Sequence, residues 1–345
     1  MRVGYLGPPG TFCEEALLSL RGGDDALEEI PFPTVVDCFR AVREREVPEA
    51  LVPIENTIEG SVNQTLDQLA AGEGLVIRAE VVLPVRHHLI ARERVDPALL
   101  DRVLSHPHAT AQCQGFLRAA APRATIVATN STSDAVRIVG EGTGADRAAA
   151  IGTLRAAELY GGVVLATDIA DRDDNSTRFV MLGTEPAPAV GPGRFKTSIV
   201  CALQRDRPGA LLAILQEFAM RAVNLTRLES RPTKTGLGRY IFFIDIEGSR
   251  DRDLPVASAI QALEDQGVAQ VTLLNVRNLL LKVVAAMDLD PCRRGRADRR
   301  RQRLLHRDRA RGGARPAPGT FEPLLARPAA DKAGAARPGP RPGDR

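Results

Sequence analysis

The sequence has no run of apolar residues long enough to cross a membrane. It also lacks the basic and then apolar stretch of an export signal, since Met1-Arg2-Val3 leads directly into a predicted strand. A membrane protein and an exported protein are therefore not expected, and the sequence predicts a cytoplasmic location. The hydrophobic content of 44% is ordinary for a globular chain.

Cysteines are few and irregularly placed. The chain has five, an odd number, and no pair of them has the short spacing of a zinc site. They are Cys13, Cys38, Cys113, Cys201 and Cys292. This pattern indicates reduced thiols and not a disulfide framework. It predicts no bound metal.

Acidic residues are scarce near the C-terminus. Residues 278–345 contain 17 Lys and Arg against 7 Asp and Glu, a net charge of +10, whereas the whole chain carries +3. Residues 1–277 therefore carry −7. Because hydrophobic periodicity ends after Met287, residues 278–345 are predicted to be a disordered basic tail. No aromatic residues are interleaved with Arg299-Arg300-Arg301, so a nucleic-acid partner is not expected.

Residues 1–183 repeat a short apolar strand, a turn rich in Gly or Pro, and a helix. The first example is Arg2–Leu6 before Gly7-Pro8-Pro9-Gly10, and a later one is Ala148–Ile151 before Gly152. This order predicts a doubly wound α/β fold.

Two long strand patterns divide residues 1–185 into lobes. Glu80–Ala91 is predicted to be one strand that enters a second lobe, and Asp168–Leu182 is predicted to return to the first. Lobe 1 then covers about 1–80 and 165–185, and lobe 2 about 81–164. Two crossings give a clamshell similar to periplasmic binding proteins, with its ligand cleft at the hinge.

The C-terminal part has a different order of elements. Residues 186–195 are rich in Pro and predict a stiff linker. Residues 196–277 predict the order βαββαβ, which is a small ferredoxin-like domain.

Polar residues mark three predicted helix starts. Thr11-x-x-Glu14 and Ser61-x-x-Gln64 are capping boxes, and Ser131-x-x-Asp134 is a weaker relative. Helix N-termini favour anions, and the carboxyl ends of strands in an open α/β sheet meet at a cleft. Thr11 and Ser131 are therefore candidate contacts for an anionic ligand, although such residues often only cap the helix.

One stretch, Asp173-Asp174-Asn175-Ser176-Thr177-Arg178-Phe179, places a hydroxyl beside a guanidinium where a strand begins. That pair suits an anionic ligand whose oxygen must be protonated, but Thr-Arg pairs are common. Four further motifs point to the same site. The five are Gly7-Pro8-Pro9-Gly10-Thr11-Phe12, Pro53-Ile54-Glu55-Asn56-Thr57-x-x-Gly60, Ser105-His106-Pro107, Ala150-Ile151-Gly152-Thr153 and Asn175-Ser176-Thr177-Arg178-Phe179.

In this order the motifs resemble those of the prephenate dehydratase family, over roughly residues 1–277. The C-terminal part resembles an ACT regulatory domain. The resemblance implies that the protein converts prephenate to phenylpyruvate with loss of CO2 and water. Aromatisation of the ring drives that reaction, so neither a cofactor nor a metal is implied. It also implies L-phenylalanine as effector and a homo-oligomer, a dimer or tetramer, formed through the ACT domains.

The resemblance also assigns roles to residues. Thr177 would donate a hydrogen bond to the departing hydroxyl, and Glu55 and His106 would complete the catalytic group. Substrate-binding roles fall on Asn56, Ser105, Gln112, Arg178, Thr11 and Ser131. Effector binding falls on Gly209, Ala210, Leu211, Glu229, Ser230 and Arg231.

Alternatives remain for several of these roles. Arg178 could pair with Asp173 or Asp174, Glu55 could cap the Gly60 turn, and His106 could anchor the turn at Pro107. Two other functions also fit the pattern. One is an arogenate dehydratase, and the other is a non-catalytic clamshell that senses an amino acid.

Overall fold

The computed structural model describes residues 2–21, 28–72, 74–142, 147–185, 195–204, 207–234, 236, 239–265, 267, 269–274 and 281–283. All of these belong to one compact unit, residues 1–289. In chain order the elements are β1 (Arg2–Leu6), α1 (Phe12–Arg21), β2 (Glu28–Phe32), α2 (Val35–Arg43), β3 (Glu49–Asn56), β4 (Gly60–Ser61), α3 (Asn63–Ala70), β5 (Val76–Pro84), β6 (His88–Ala91), β7 (Arg102–Ser105), α4 (Pro107–Ala111), α5 (Gln114–Ala120), β8 (Thr125–Ala128), α6 (Thr132–Glu141), β9 (Ala148–Gly152), α7 (Leu154–Tyr160), β10 (Val163–Ala166), β11 (Ser176–Gly183), β12 (Lys196–Leu203), α8 (Ala210–Ala219), β13 (Leu225–Pro232), β14 (Tyr240–Glu247), α9 (Leu254–Asp265), β15 (Ala269–Leu273) and β16 (Leu281–Val283).

The first lobe is built on a sheet of order β16-β5-β11-β3-β1-β2, with β4 paired to β3. Strands β1, β2 and β3 are parallel, whereas β11 lies antiparallel between β3 and β5. Successive residues of β11 alternate between two cores. Phe179 and Met181 pack with α1, and Val180 and Leu182 pack with α2 and α3. The sheet is therefore covered on both faces, as a doubly wound sheet must be.

The second lobe has a sheet of order β10-β6-β9-β7-β8. Helices α6 and α7 cover one face of this sheet, and α4 and α5 cover the other. The two-lobed α/β prediction is thus confirmed.

The single long strand predicted at Glu80–Ala91 is wrong. Its residues form β5 and β6, which belong to different sheets. Strand β5 ends at Pro84, which has no N–H to continue a strand ladder, and the chain crosses between the lobes immediately afterwards. The apolar pattern runs through the crossing because Val85 is buried as well.

One of the three predicted helix caps is formed, and two are not. Ser131 caps α6 by accepting a hydrogen bond from the Asp134 N–H, at 3.0 Å. Helix α3 begins after Val62 without a side-chain cap, so the predicted box at Ser61 is wrong. The box at Thr11 is also not formed, because Glu14 accepts from the N–H of Gly10.

The C-terminal domain is an antiparallel sheet of order β13-β14-β12-β15 with α8 and α9 on one face. This is the predicted βαββαβ arrangement. Its other face packs on the first lobe, where Val200, Phe243 and Leu274 join the core around α2 and α3. Burial of these side chains ties the domain to the strands that carry the site.

The predicted disorder of 278–345 is wrong for Leu281–Val283. These residues form β16, which pairs in parallel with Glu80, Val81 and Val82 of β5. The other residues of that predicted tail, and most of the linker predicted at 186–195, lie outside the described residues. In the described part of the chain no helix is long and apolar enough to span a bilayer.

We predict that His88→Asn reduces the acid sensitivity of the fold. His88 is buried in β6, and its Nδ1 accepts a hydrogen bond from the Asp168 N–H at 3.3 Å. Burial lowers the pKa of His88 to about 4. Between about pH 6.5 and that value the unfolded chain binds a proton that the folded chain does not, so stability is lost as the pH falls.

The asparagine keeps an acceptor near Nδ1 but does not titrate. In urea unfolding at pH 7, 5.5 and 4, the free energy of unfolding of the variant should fall less with decreasing pH than that of the wild type. The difference should be about 1.4 kcal/mol for each unit by which the pKa of His88 is lower in the folded than in the unfolded chain. His108→Asn, at an exposed position, is the control and should keep the wild-type slope. An unchanged slope in His88→Asn would contradict the assignment.

Candidate active site

The site is organised by the pairing of β3 with β11. Asn56 lies opposite Thr177, and Glu55 lies opposite Arg178. The next pair is Pro53 with Phe179, so Ile54 is an extra residue in β3. Such a bulge reverses the alternation of side chains beyond it. It places Asn56 and Thr177 on one face and Glu55 with Arg178 on the other.

The carboxamide of Asn56 is held on both sides. Its Nδ2 donates to Asn175 Oδ1 at 2.8 Å and to Thr177 Oγ1 at 2.9 Å. Its Oδ1 accepts from the N–H groups of Ile58 and Glu59, at 2.9 and 3.0 Å. Because Thr177 Oγ1 accepts from Asn56, its own proton points away from Asn56 and is oriented to donate to another group.

Gln112 of the second lobe extends this network across the lobes. Its Oε1 accepts from Asn175 Nδ2 at 2.9 Å and lies 3.0 Å from His87 Nε2, while its Nε2 donates to Glu59 at 3.1 Å. Since Oε1 is an acceptor, His87 must carry its proton on Nε2. Burial lowers the pKa of His87, which keeps the ring neutral.

A second connection between the lobes involves the loop before α1. Thr153 Oγ1 donates to the carbonyl oxygen of Gly10 at 2.7 Å, and the hydroxyl of Tyr160 donates to that of Pro9 at 3.2 Å. Ser133 also donates to Pro9. Arg155 pairs with the buried carboxylate of Glu14 at 3.0 Å. These contacts hold the lobes together on the side of the Gly-Pro-Pro-Gly loop.

Several predicted site residues have partners in the framework. The hydroxyl of Thr11 donates to the Leu6 carbonyl at 3.3 Å, and that of the fully buried Ser105 donates to the Ile151 carbonyl at 2.9 Å. His106 caps α4, and its Nδ1 accepts from the His108 N–H at 3.3 Å. Burial lowers the pKa of His106. Ser105 and His106 thus lie where β7 leads into the helix that presents Gln112.

Arg178 faces the C-terminal domain. Its Nη1 lies 2.7 Å from Asp245 Oδ2 and 3.4 Å from Glu80 Oε2, and its Nε lies 3.3 Å from Glu55 Oε2. Burial lowers the pKa of Arg178, but the adjacent carboxylates outweigh burial and raise it overall. The alternative pairing with Asp173 or Asp174 is not found, since Asp174 pairs with Arg172 at 2.6 Å.

Comparison with known proteins identifies the family. Residues 3–187 match the family model described as prephenate dehydratase, and residues 197–265 match the ACT domain. The chain belongs to the prephenate dehydratase family. Prephenate dehydratase of Mycolicibacterium vanbaalenii is 40% identical over 274 residues, covering 76% of this chain and 86% of that protein. That of Bacillus subtilis is 38% identical over 275 residues, covering 77% and 95%.

A solved structure supports the same family and fold. Prephenate dehydratase of Arthrobacter aurescens in complex with L-Phe is 35% identical, with a TM-score of 0.72, and the match covers 89% of this chain and 100% of that one.

The predicted effector residues of the ACT domain form two groups. Gly209, Ala210 and Leu211 lie at the start of α8, and Gly209 has a φ of 82°. Glu229 and Arg231 lie on β13 and face the first lobe. Glu229 accepts from Ser61, and Arg231 donates to Asn63 at 2.7 Å and to Asp67 at 3.0 Å. Ser230 points away from that interface and is exposed.

Sequence reasoning missed three members of the site in this prephenate dehydratase family protein. Asn175 belongs to one of the motifs but has no predicted role, although its side chain joins Asn56 to Gln112. Glu59 and His87 were not predicted to contribute. Their common signal is a polar side chain at a turn or a strand end. In the described residues no group of three or more His, Cys, Asp and Glu could hold a metal ion.

We predict that Gly10→Ala destabilises the fold more than Gly161→Ala. Both glycines have positive φ, 84° and 70°. Either substitution should cost about 1–2 kcal/mol for the left-handed conformation. A Cβ at Gly10 would also lie 2.7 Å from Ser133 Oγ and 3.0 Å from Ala156 Cα, whereas no atom lies within 4 Å at Gly161.

That contact between lobes should add about 1–3 kcal/mol to the loss in Gly10→Ala. Free energies of unfolding in urea measure both variants. Equal losses would mean that the loop does not pack against the second lobe.

Proposed function

We propose that this protein is a prephenate dehydratase that converts prephenate to phenylpyruvate, a cytoplasmic step in L-phenylalanine synthesis. The observation that carries the proposal is the hydroxyl of Thr177, held by Asn56 at 2.9 Å in a network that joins both lobes. The family match of residues 3–187 supports it.

The reaction breaks two bonds of prephenate. One ring carbon loses its hydroxyl, the carboxylate on the opposite ring carbon leaves as CO2, and the electron pair of the broken C–C bond passes into the ring and completes its aromaticity. A proton converts the departing hydroxide to water. The Thr177 hydroxyl donates a hydrogen bond that strengthens as negative charge builds on the departing oxygen. A threonine is too weak an acid to supply the proton itself, so Thr177 stabilises the departing oxygen and another donor protonates it.

The charge of the network suits a substrate that loses a carboxylate. Asn56, Asn175 and Gln112 are neutral donors and acceptors. A cation placed on the departing carboxylate would stabilise the substrate more than the transition state, in which that charge is disappearing. Arg178 instead pairs with three carboxylates on the opposite face of β11. We therefore propose that Arg178 and Glu55 do not contact the part of the substrate that reacts.

The remaining predicted residues have supporting roles in this proposal. Gln112, Asn56 and Asn175 orient Thr177 and shape the substrate site. Ser105 and His106 position α4, which presents Gln112. Thr11 and Ser131 support the loop and the helix start that flank the lobes.

We predict that Thr177→Ala lowers kcat by about 10²–10³ because the transition state loses its hydrogen bond. KM for prephenate should change much less, since the hydroxyl acts on charge that is absent in the ground state. Formation of phenylpyruvate, followed by ultraviolet absorbance, gives both constants. Thr177→Ser keeps the hydroxyl and should retain most of the activity. A rise in KM without a fall in kcat would contradict this role.

The alternatives are separated by the same assay. Faster turnover of arogenate than of prephenate would make the protein an arogenate dehydratase. Folded protein that binds phenylalanine but forms no product from either compound would be an amino-acid sensor.

We also propose that L-phenylalanine inhibits the enzyme by binding to the ACT domain, near Gly209, Ala210, Leu211 and Ser230. The related enzyme of Arthrobacter aurescens was solved in complex with L-Phe, which supports this effector. A coupling of about 1–3 kcal/mol between the two sites is enough for feedback control. Strand β13 is an edge strand with Leu228 and Ser230 exposed, which supports a homo-oligomer formed by pairing of ACT domains.

We predict that Gly209→Val raises the phenylalanine concentration for half-inhibition by about tenfold or more. A β-branched residue is strongly disfavoured at a φ of 82° and should distort the start of α8. Inhibition curves are normalised to the rate of each variant without phenylalanine. Gly161→Val, at a positive φ in the second lobe, is the control and should keep the wild-type curve. Unchanged inhibition of Gly209→Val would refute the effector site.

A further inference from the structure

We propose that Asp245 of the ACT domain is a positioning residue for Thr177 and acts through Arg178. The ACT domain would then hold the catalytic strand in its working geometry, in addition to binding an effector. This inference rests on the proposed role of Thr177.

The contact is a buried ion pair between the domains. Arg178 Nη1 donates to Asp245 Oδ2 at 2.7 Å, and Asp245 Oδ1 accepts from the Ser198 hydroxyl at 2.7 Å. The side chains of Arg178 and Asp245 are 12% and 8% exposed. An ion pair with so little solvent around it has a strongly directional geometry, because neither charge can turn to water instead.

Arg178 has no equivalent partner if Asp245 is lost. Glu80 is the nearest alternative at 3.4 Å, but Lys196 Nζ already lies 3.0 and 3.2 Å from its two oxygens. Glu55 is 3.3 Å from Nε, and its side chain is 39% exposed. That Nε atom is buried without a well-aligned hydrogen bond. Asp245 therefore provides the best-formed contact of the guanidinium.

The position of Arg178 in β11 links this contact to the site. Arg178 directly follows Thr177, and adjacent strand residues point to opposite faces. Arg178 is therefore the side chain through which Asp245 can fix the backbone that carries the Thr177 hydroxyl. The bulge at Ile54 interrupts the regular ladder next to this pair, so the strand end is less constrained by β3 than a regular strand would be.

The domain interface contains a matched control. Asp67 of α3 accepts from Arg231 at 3.0 Å and from Lys234 at 2.6 Å. It also joins the ACT domain to the first lobe, but it lies on a helix and not beside Thr177. If ion pairs only hold the domains together, loss of Asp67 and loss of Asp245 should have the same effect on kcat.

The test compares Asp245→Asn and Asp67→Asn in the full chain, without phenylalanine. We expect Asp245→Asn to lower kcat for prephenate by roughly ten- to hundredfold, because misplacing a catalytic group by about 1 Å has that effect. KM should change by less than about threefold. Asp67→Asn should keep kcat within about twofold at a comparable shift in the urea midpoint. Equal losses of kcat in the two variants would overturn the proposal.

A double-mutant cycle gives a readout that a structural role would not move. If Asp245 acts through Thr177, Asp245→Asn should change the residual kcat of Thr177→Ala by less than about twofold. A full additional loss in that background would overturn the proposal. Asp245→Glu keeps the carboxylate and should recover part of kcat.

A milder variant covers the case in which Asp245→Asn does not fold. Ser198→Ala removes the hydroxyl that orients Asp245 but leaves the ion pair, so a smaller loss of kcat should appear, again only when Thr177 is present.

Failure of the two proposals is distinguishable. If Thr177→Ala loses kcat and the Asp245 and Ser198 variants do not, only the positioning role fails. If Thr177→Ala keeps kcat, the role of Thr177 fails and the positioning role with it.

Discussion

The antiparallel pairing of β3 with β11, with Ile54 as an extra residue, is the constraint on which the site depends. It brings Asn56 opposite Thr177 and leaves Glu55 opposite Arg178. Without the bulge, the alternation of the strand would put Glu55 on the face that Leu51 occupies. A single inserted residue thus decides which polar side chains meet at the cleft and which meet the regulatory domain.

The two faces of β11 have different electrostatics. Around Thr177 the network consists of amides and a hydroxyl, which stabilise developing charge without holding a carboxylate that must leave. Around Arg178 lie the carboxylates of Glu80 and Asp245, which are buried between the domains. Buried charge is tolerated there because each group has a partner of opposite sign.

The network also depends on both lobes being together. Gln112 contacts Asn175 and Glu59, so opening the clamshell would break the hydrogen bonds by which the second lobe orients Asn175, the partner of Asn56. Contacts of Thr153 and Tyr160 with the loop at Pro9 and Gly10 close the other side. The complete network therefore requires the two lobes in contact.

Sequence alone determined the class of fold and the order of its elements, because strand and helix periodicities and glycine turns are local properties. Strand Arg2–Leu6, for example, has the bounds that the sequence predicts. The motifs of the family were also readable, since they are short and local. The predictions for Leu281–Val283 and for the strand at Glu80–Ala91 went wrong because burial and sheet membership depend on distant partners.

Only the tertiary structure decided which motif residues meet. Sequence placed Glu55 and Asn56 side by side, and strand alternation alone sends them to opposite faces. The bulge decides that Asn56, and not Glu55, lies on the face of Leu51. It placed Arg178 near a ligand, and only the structure shows that the Arg178 guanidinium pairs with Asp245, 67 residues away along the chain. Charge and hydrogen-bonding capacity belong to the residue, whereas the partner that satisfies them is set by packing between lobes and domains, which no local pattern encodes.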